Sequence, residues 1–130
     1  MASVPELRPF PVTRVVATQS ALDAATWPDG TLVLRLAPDE ALVCLPVDEV
    51  AVSDSHAIVV ADEGFLGAWV AAEAALAFLE GACAWELPSA RPAFAQGAVA
   101  NVPVKLWFEP DRVLFLVPAP FAADLAERMA

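Results

Sequence analysis

The sequence has few of the residues that build catalytic and metal sites: one histidine, two cysteines, one lysine and no tyrosine. A catalytic triad or a zinc site needs several such side chains brought together. His56 follows Asp54 and Ser55, but neighbours in sequence do not by themselves form a triad. Since the two cysteines are far apart and the carboxylates are dispersed, we predict no metal site and no catalytic residue.

Basic side chains are also scarce, with seven Lys and Arg against seventeen Asp and Glu, and the formal net charge is -10. Nucleic-acid binding depends on Lys and Arg that neutralise phosphates, and anionic membranes attract the same side chains. The seven basic residues stand singly along the chain. We therefore predict that neither nucleic acid nor a membrane is a partner.

The two cysteines, Cys44 and Cys83, lie among apolar residues, which is typical of buried free thiols in a reducing compartment. Residues 1–11 are rich in proline and carry charges, so they do not form the apolar part of a signal peptide. We predict a cytoplasmic protein. The apolar window 64–85 contains Glu73 and Glu80, and Gly64 and Gly67 weaken a single long helix, which favours a strand followed by a helix over a membrane span.

Apolar residues, in contrast, are abundant and make up 58% of the chain. A chain of 130 residues fits one domain, and a small domain has limited interior for so many apolar groups. We predict a single domain over 1–130, with 1–11 as a proline-rich N-terminal arm. The apolar excess predicts a surface that is covered by another molecule.

The spacing of apolar residues predicts an α+β fold. Alternation and turn residues predict strands at 12–16, 31–36, 41–45, 56–61, 65–70, 96–102, 104–108 and 113–117. The run 56–61 is apolar and β-branched, which predicts a buried strand. Helical spacing predicts a short helix from the N-cap Ser20 to Trp27, a second over 71–83 and a last one striped by Phe121, Leu125 and Met129. This order predicts a mainly antiparallel sheet with helices packed on one face.

Aromatic side chains are concentrated in the C-terminal half. Trp85, Phe94 and Trp107 lie in or beside irregular or edge segments, and Phe108 follows directly. Trp and Phe fill protein cores, but they also anchor interfaces. Both interpretations stay open, and we take these four residues as candidate interface residues.

Several segments carry the motifs of a known family. The C-terminal ones read Gly-Ala-Cys-Ala-Trp-Glu-Leu at 81–87, Phe-Ala-Gln-Gly-Ala-Val-Ala at 94–100, Val-Lys-Leu-Trp at 104–107 and Val-Leu-Phe-Leu-Val-Pro at 113–118. Together with the turn at 34–40 and the pair Ser55-His56, they resemble the gamma subunit of heterotetrameric sarcosine oxidase. That family shows Gly-Cys-x-x-Asp-Leu, Phe-x-x-Gly and a Leu-Val-Pro before its last helix. Here Glu86 replaces the usual Asp, and Ala37 replaces a usual Gly.

The resemblance implies a fold like the folate-binding domain of the glycine cleavage T-protein, in a subunit without its own flavin or catalytic groups. It implies that this chain alone binds no cofactor and that it packs against protein partner subunits or self-associates. The leading hypothesis is therefore a non-catalytic accessory domain of an oxidoreductase complex, not an enzyme by itself. Two alternatives stay open: a small-molecule module that binds folate or a related pterin, and a small acidic secretion-type chaperone.

Overall fold

The structure, a computed structural model, describes residues 6–44 and 52–130. These residues form two compact units: unit 1 comprises residues 6–10 and 64–130, and unit 2 comprises the described part of 11–63. Their arrangement as one domain over 1–130 stays a prediction. Within the predicted N-terminal arm, residues 8–9 form a short strand of unit 1.

The fold is α+β with antiparallel sheets, as predicted. Its elements in chain order are β1 (Arg8–Pro9), β2 (Val12–Val16), α1 (Gln19–Ala24), β3 (Leu32–Ala37), β4 (Glu40–Cys44), β5 (Ile58–Asp62), β6 (Phe65–Ala71), α2 (Ala72–Ala82), β7 (Ala93–Val99), β8 (Val102–Phe108), β9 (Arg112–Pro118) and α3 (Ala122–Met129). A 3-10 turn, Ala119–Phe121, leads into α3. No helix within the described ranges is both long and apolar enough to cross a membrane.

Unit 2 is a four-stranded antiparallel sheet in the order β3-β4-β2-β5, with α1 packed on one face. α1 begins after Thr18, whose hydroxyl oxygen accepts a hydrogen bond from the Ala21 amide at 3.2 Å. The predicted N-cap Ser20 was therefore wrong, because Thr18 lies two residues earlier and is placed to satisfy the free amide of Ala21. On the sheet, Arg14 pairs with Glu40 and with Asp62, the latter at 3.0 Å, so three strands are joined by one guanidinium.

The strand predicted to be buried at 56–61 is instead an exposed edge strand, β5. Among the described residues it pairs only with β2 and stands last in the sheet order. Ile58, Val59 and Val60 are 55%, 39% and 47% exposed. The prediction failed because β-branched residues favour strands in general, whereas the place of a strand in its sheet depends on distant partners.

Unit 1 is a five-stranded antiparallel sheet in the order β1-β6-β9-β8-β7. Its core lies between one face of this sheet and the two helices α2 and α3, which contribute Ala75, Leu79 and Leu125. The opposing layer consists of alternate residues of β8 and β9, namely Val102, Val104, Leu106, Phe108, Val113, Phe115 and Val117. Within unit 1, the prediction of helices on one face is confirmed.

The predicted strand 96–102 is interrupted by a turn. β7 ends at Val99, and the two-residue turn Ala100-Asn101, with φ of 50° and 67°, reverses the chain into β8. Positive φ at both positions is what a tight hairpin with twisted strands requires, but glycine usually supplies it. The Ala100 amide donates a hydrogen bond to the carbonyl of Ala82 at 2.9 Å, so the turn is anchored to the end of α2.

Candidate functional site

A row of large side chains crosses four strands of unit 1 at one level. Trp69 on β6 lies opposite Leu114 on β9. Leu114 in turn lies opposite Trp107 on β8, and Trp107 lies opposite Phe94 on β7. We call these four residues the aromatic row. Because side chains alternate along a strand, the row lies on the sheet face opposite α2 and α3, to which the neighbouring Phe108 points.

The row is an apolar surface that is only partly shielded within the chain. Leu114 at its centre is fully buried, whereas Trp69, Trp107 and Phe94 are half-buried. Large aromatic side chains with remaining exposure are the residues that most often anchor protein interfaces. The row therefore offers a contact surface built on three rigid rings.

Polar contacts fix one end of the aromatic row. Glu109 accepts a hydrogen bond from the indole nitrogen of Trp107 at 3.0 Å and one from Arg112 Nε at 2.8 Å. The Arg112 guanidinium in turn lies 3.6 Å from the centre of the Trp69 ring. The hydrogen bond from Arg112, aided by that from Trp107, holds the pKa of Glu109 below its usual value. With its N–H group already bonded, Trp107 can be covered by a partner without leaving a donor unpaired.

Trp85 lies on the other face of the sheet, beside the helices. Its indole nitrogen donates to the carbonyl of Ala98 at 2.9 Å, and its ring packs over Gly97. A Cβ at Gly97 would lie 3.0 Å from two atoms of the indole ring. Only glycine therefore lets the indole lie this close to β7 without displacement.

Trp85 also forms one wall of a groove of about 640 Å³ in unit 1. The other lining residues come from α2 and the segment after it, from the end of β7 and its turn, and from the end of α3: Ala77, Phe78, Gly81, Ala82, Ala84, Ala98, Ala100, Asn101 and Arg128. Small residues form most of this lining, two aromatic rings stand in it, and Arg128 is its one charged residue. The groove is thus suited to a flat apolar group with an attached anion.

The structure separates the four candidate interface residues. Trp107 and Phe94 lie together in the aromatic row, and Trp85 lies on the opposite face. Phe108 is fully buried in the core of unit 1, so its ring is not at a surface of the chain. Trp69 was not among the candidates from the sequence. It belongs to the row because its strand, β6, pairs with β9. The alternation of Trp69 with Val70 indicates that their side chains lie on opposite faces of the strand. The pairing of β6 with β9 was needed to place Trp69 in the row.

The reactive side chains named in the sequence are placed as follows. Cys44 and Cys83 are half-buried free thiols, and burial raises both pKa values, that of Cys44 to about 11. Asp54 accepts hydrogen bonds from the backbone amides of His56 at 2.9 Å and Thr18 at 3.0 Å, which lower its pKa. These bonds give Asp54 a structural role at the end of a loop. In the described part of the chain, no three His, Cys, Asp or Glu side chains form a cluster that could hold a metal ion.

Comparison with known proteins shows the fold. No family model matches the chain, and no curated protein matches it. Among solved structures, a chain of the heterotetrameric sarcosine oxidase from Corynebacterium sp. U-96, in complex with pyrrole 2-carboxylate, matches with a TM-score of 0.74 and 18% identity. The match covers 99% of this chain and 84% of that chain. This chain thus has the fold of a chain of that enzyme, and the fold implied by the sequence resemblance is confirmed.

Proposed function

We propose that this chain is a non-catalytic accessory subunit, similar to the gamma subunit of a heterotetrameric sarcosine oxidase, that packs against the larger subunits of a flavin-dependent amine oxidase. The aromatic row is the observation that carries the proposal. The shared fold supports it, because the matched chain belongs to a heterotetrameric enzyme. Fold alone does not establish function, so the proposal depends on the properties of the aromatic row.

The row has the properties that make a few residues dominate binding. Trp69 and Trp107 are held in place before any partner arrives, through Arg112 and Glu109. A partner therefore does not have to immobilise these side chains, which otherwise costs about 0.5–1.5 kcal/mol for each one. Leu114 at the centre of the row is fully buried, so the exposed surface of the row is that of its three rings.

The test is to recover the tagged full-length chain from lysate of its native host and to measure flavin absorbance in the eluted complex. We expect the unaltered chain to retain a flavoprotein and Trp107→Ala to weaken its binding at least about tenfold, as for an interface anchor. Phe121→Ala is the matched control, since Phe121 is an exposed phenylalanine outside the row. The proposal fails if no flavoprotein is retained, or if Trp107→Ala and Phe94→Ala both retain it as well as the control does.

A second candidate function, a module that binds folate or a related pterin, is favoured by the groove at Trp85. A pterin is a flat ring that could stack beside Trp85 and Phe78, and the carboxylates of a folate could pair with Arg128. The volume of about 640 Å³ lies within the range of about 300–1,000 Å³ common to small-molecule sites. This function does not require the aromatic row.

Titration with tetrahydrofolate, with tryptophan fluorescence as the readout, tests this second function. We expect saturable quenching that is largely lost in Trp85→Phe, because this change removes the fluorophore in the groove and keeps an aromatic ring. Arg128→Ala is expected to weaken binding about tenfold or more, through loss of a charged hydrogen-bond donor. The absence of quenching at millimolar ligand would exclude the folate function.

The chaperone hypothesis stays a prediction, which a neighbouring effector gene in place of an oxidase gene would favour.

A further inference from the structure

Exposed large apolar side chains are concentrated on one strand. In residues 6–44 and 52–130 the side chains of this kind are Ile58, Val59, Val60 and Phe121, and the first three are consecutive in β5. β5 is the last strand in the order of its sheet. An edge strand presents backbone donors and acceptors along its outer side, so this strand combines apolar side chains with a template for pairing.

Most of β5 lacks the features that usually prevent edge pairing; its one charged residue, Asp62, is the last of the strand and pairs with Arg14. Residues 58–61 read Ile-Val-Val-Ala and include no lysine, proline or charged side chain. The strand pairs with β2 in continuous register from Ile58 to Asp62, without a bulge that would twist it away. Natural proteins use such charges, prolines and bulges to block edge-to-edge association. Their absence over residues 58–61 indicates an edge that accepts another strand.

Both faces of β5 need cover, which fits an added strand better than a helix on one face. Ile58 and Val60 share the sheet face of Arg14, and Val59 lies on the opposite face with Val15. A helix would shield only one of these faces. A strand placed beside β5 extends the sheet in its own plane and brings side chains next to all three exposed residues.

The polar side chains at the two ends of β5 indicate which strand fits. Exposed Glu63 follows the strand, and it forms no ion pair or hydrogen bond with the described residues. Exposed His56 precedes the strand. In an antiparallel pair of two copies, the Glu63 carboxylate of one copy lies near the His56 imidazole of the other, which has an N–H donor whether or not it is charged, and the apolar centres face each other. A parallel pair would place the acidic ends together.

We propose that β5 pairs with β5 of a second copy of this chain, antiparallel about a two-fold axis. The two four-stranded sheets then continue into one another. A two-fold dimer is the commonest assembly of identical chains, and the same surface of each copy forms its contact. The apolar centre and the polar ends of β5 allow such a contact. The proposal concerns unit 2 only and does not rest on the proposed function, whose aromatic row lies in unit 1.

Salt has an effect of known sign on this dimer. Each copy carries a formal net charge of -10, so two copies repel each other at low ionic strength. Salt screens this repulsion and leaves apolar strand pairing in place. We therefore expect the dimer dissociation constant to fall as sodium chloride rises. An association driven by opposite charges would show the opposite trend.

The experiment is sedimentation of the full chain over a range of micromolar concentrations, at low and high salt. We expect a monomer–dimer equilibrium that is strengthened by salt and weakened at least tenfold by Val60→Lys. Phe121→Lys is the matched control, because it replaces an exposed apolar residue outside β5 and adds the same charge. The control is expected to dimerise as the unaltered chain does, and so is Trp107→Ala.

Hydrogen exchange on the unaltered chain gives a second measurement that needs no variant to fold. We expect the exchange of amides in 58–61 to slow as protein concentration rises, because pairing protects the outer edge of β5. A monomer at every concentration and salt level would overturn the proposal. So would a dimer that Val60→Lys leaves intact, one that Phe121→Lys disrupts equally, or one without concentration-dependent protection of β5.

Discussion

Phe108→Ala is expected to lower the free energy of unfolding by about 3–5 kcal/mol, the range for a large-to-small change in a packed core. Phe108 is fully buried and belongs to the core cluster of unit 1. Its ring also lies 4.9 Å from the Arg91 guanidinium, so the truncation removes a cation–π contact as well. A loss of this size is a large share of the total stability of about 5–15 kcal/mol common to single domains.

Urea denaturation measures this effect, with Phe121→Ala as the control. Phe121 is 40% exposed, and we expect its truncation to lower the unfolding free energy by less than about 1 kcal/mol. The comparison separates a core residue from a surface residue of the same type. Equal losses in the two variants, or a Phe108→Ala chain as stable as the unaltered one, would contradict the burial of Phe108 in the core.

Gly97→Val is expected to destabilise the chain by roughly 1–3 kcal/mol, the usual range for overpacking, even though valine suits a strand better than glycine. The new side chain would occupy the space of the Trp85 ring, whose atoms lie 3.0 Å from the position of a Cβ there. The indole must move, and its hydrogen bond to the Ala98 carbonyl is then lost or lengthened. We expect the Trp85 fluorescence to shift to the red as the ring becomes more exposed.

Gly81→Ala provides a control with the opposite expected sign. A Cβ at Gly81 meets no atom within 4 Å, and the residue lies in the last turn of α2. Alanine replaces glycine in a helix with a gain of up to about 1 kcal/mol. Thermal unfolding of the two variants checks both signs. A Gly97→Val chain of unchanged stability and unchanged tryptophan emission would mean that Trp85 does not pack on β7.

The parts of the fold that were predicted correctly rest on local patterns. The period change at Ala71 placed the end of β6 and the start of α2 within one residue, because a strand and a helix expose different sets of side chains. The hairpin at 104–117 was predicted from alternation around the turn Glu109-Pro110-Asp111. Each of these elements is specified by residues that are neighbours in sequence.

The parts that were missed depend on residues that are distant in sequence. The turn at Ala100-Asn101 contains no glycine, and its conformation is held by the hydrogen bond to Ala82. The aromatic row depends on the register of four strands, which places Trp69, Trp107 and Phe94 at the same level of the sheet. Similarly, the exposure of β5 follows from the order of the strands and not from its composition. Local patterns identify the elements, but pairing decides which surfaces they form.

The order of the two units along the chain has a consequence for synthesis on the ribosome. β1 pairs with β6, and all of unit 2 lies between them in sequence. Chains emerge from the N-terminus, and units fold as their parts become available. Every strand of unit 2 is made before β6, so unit 2 can close its sheet while unit 1 consists of β1 alone. Unit 1 has to wait for β9, which joins β6 to β8 and is the last of its strands in sequence. The face that carries the aromatic row is therefore assembled after unit 2, and a nascent chain has nothing to offer a partner there until β9 has been made.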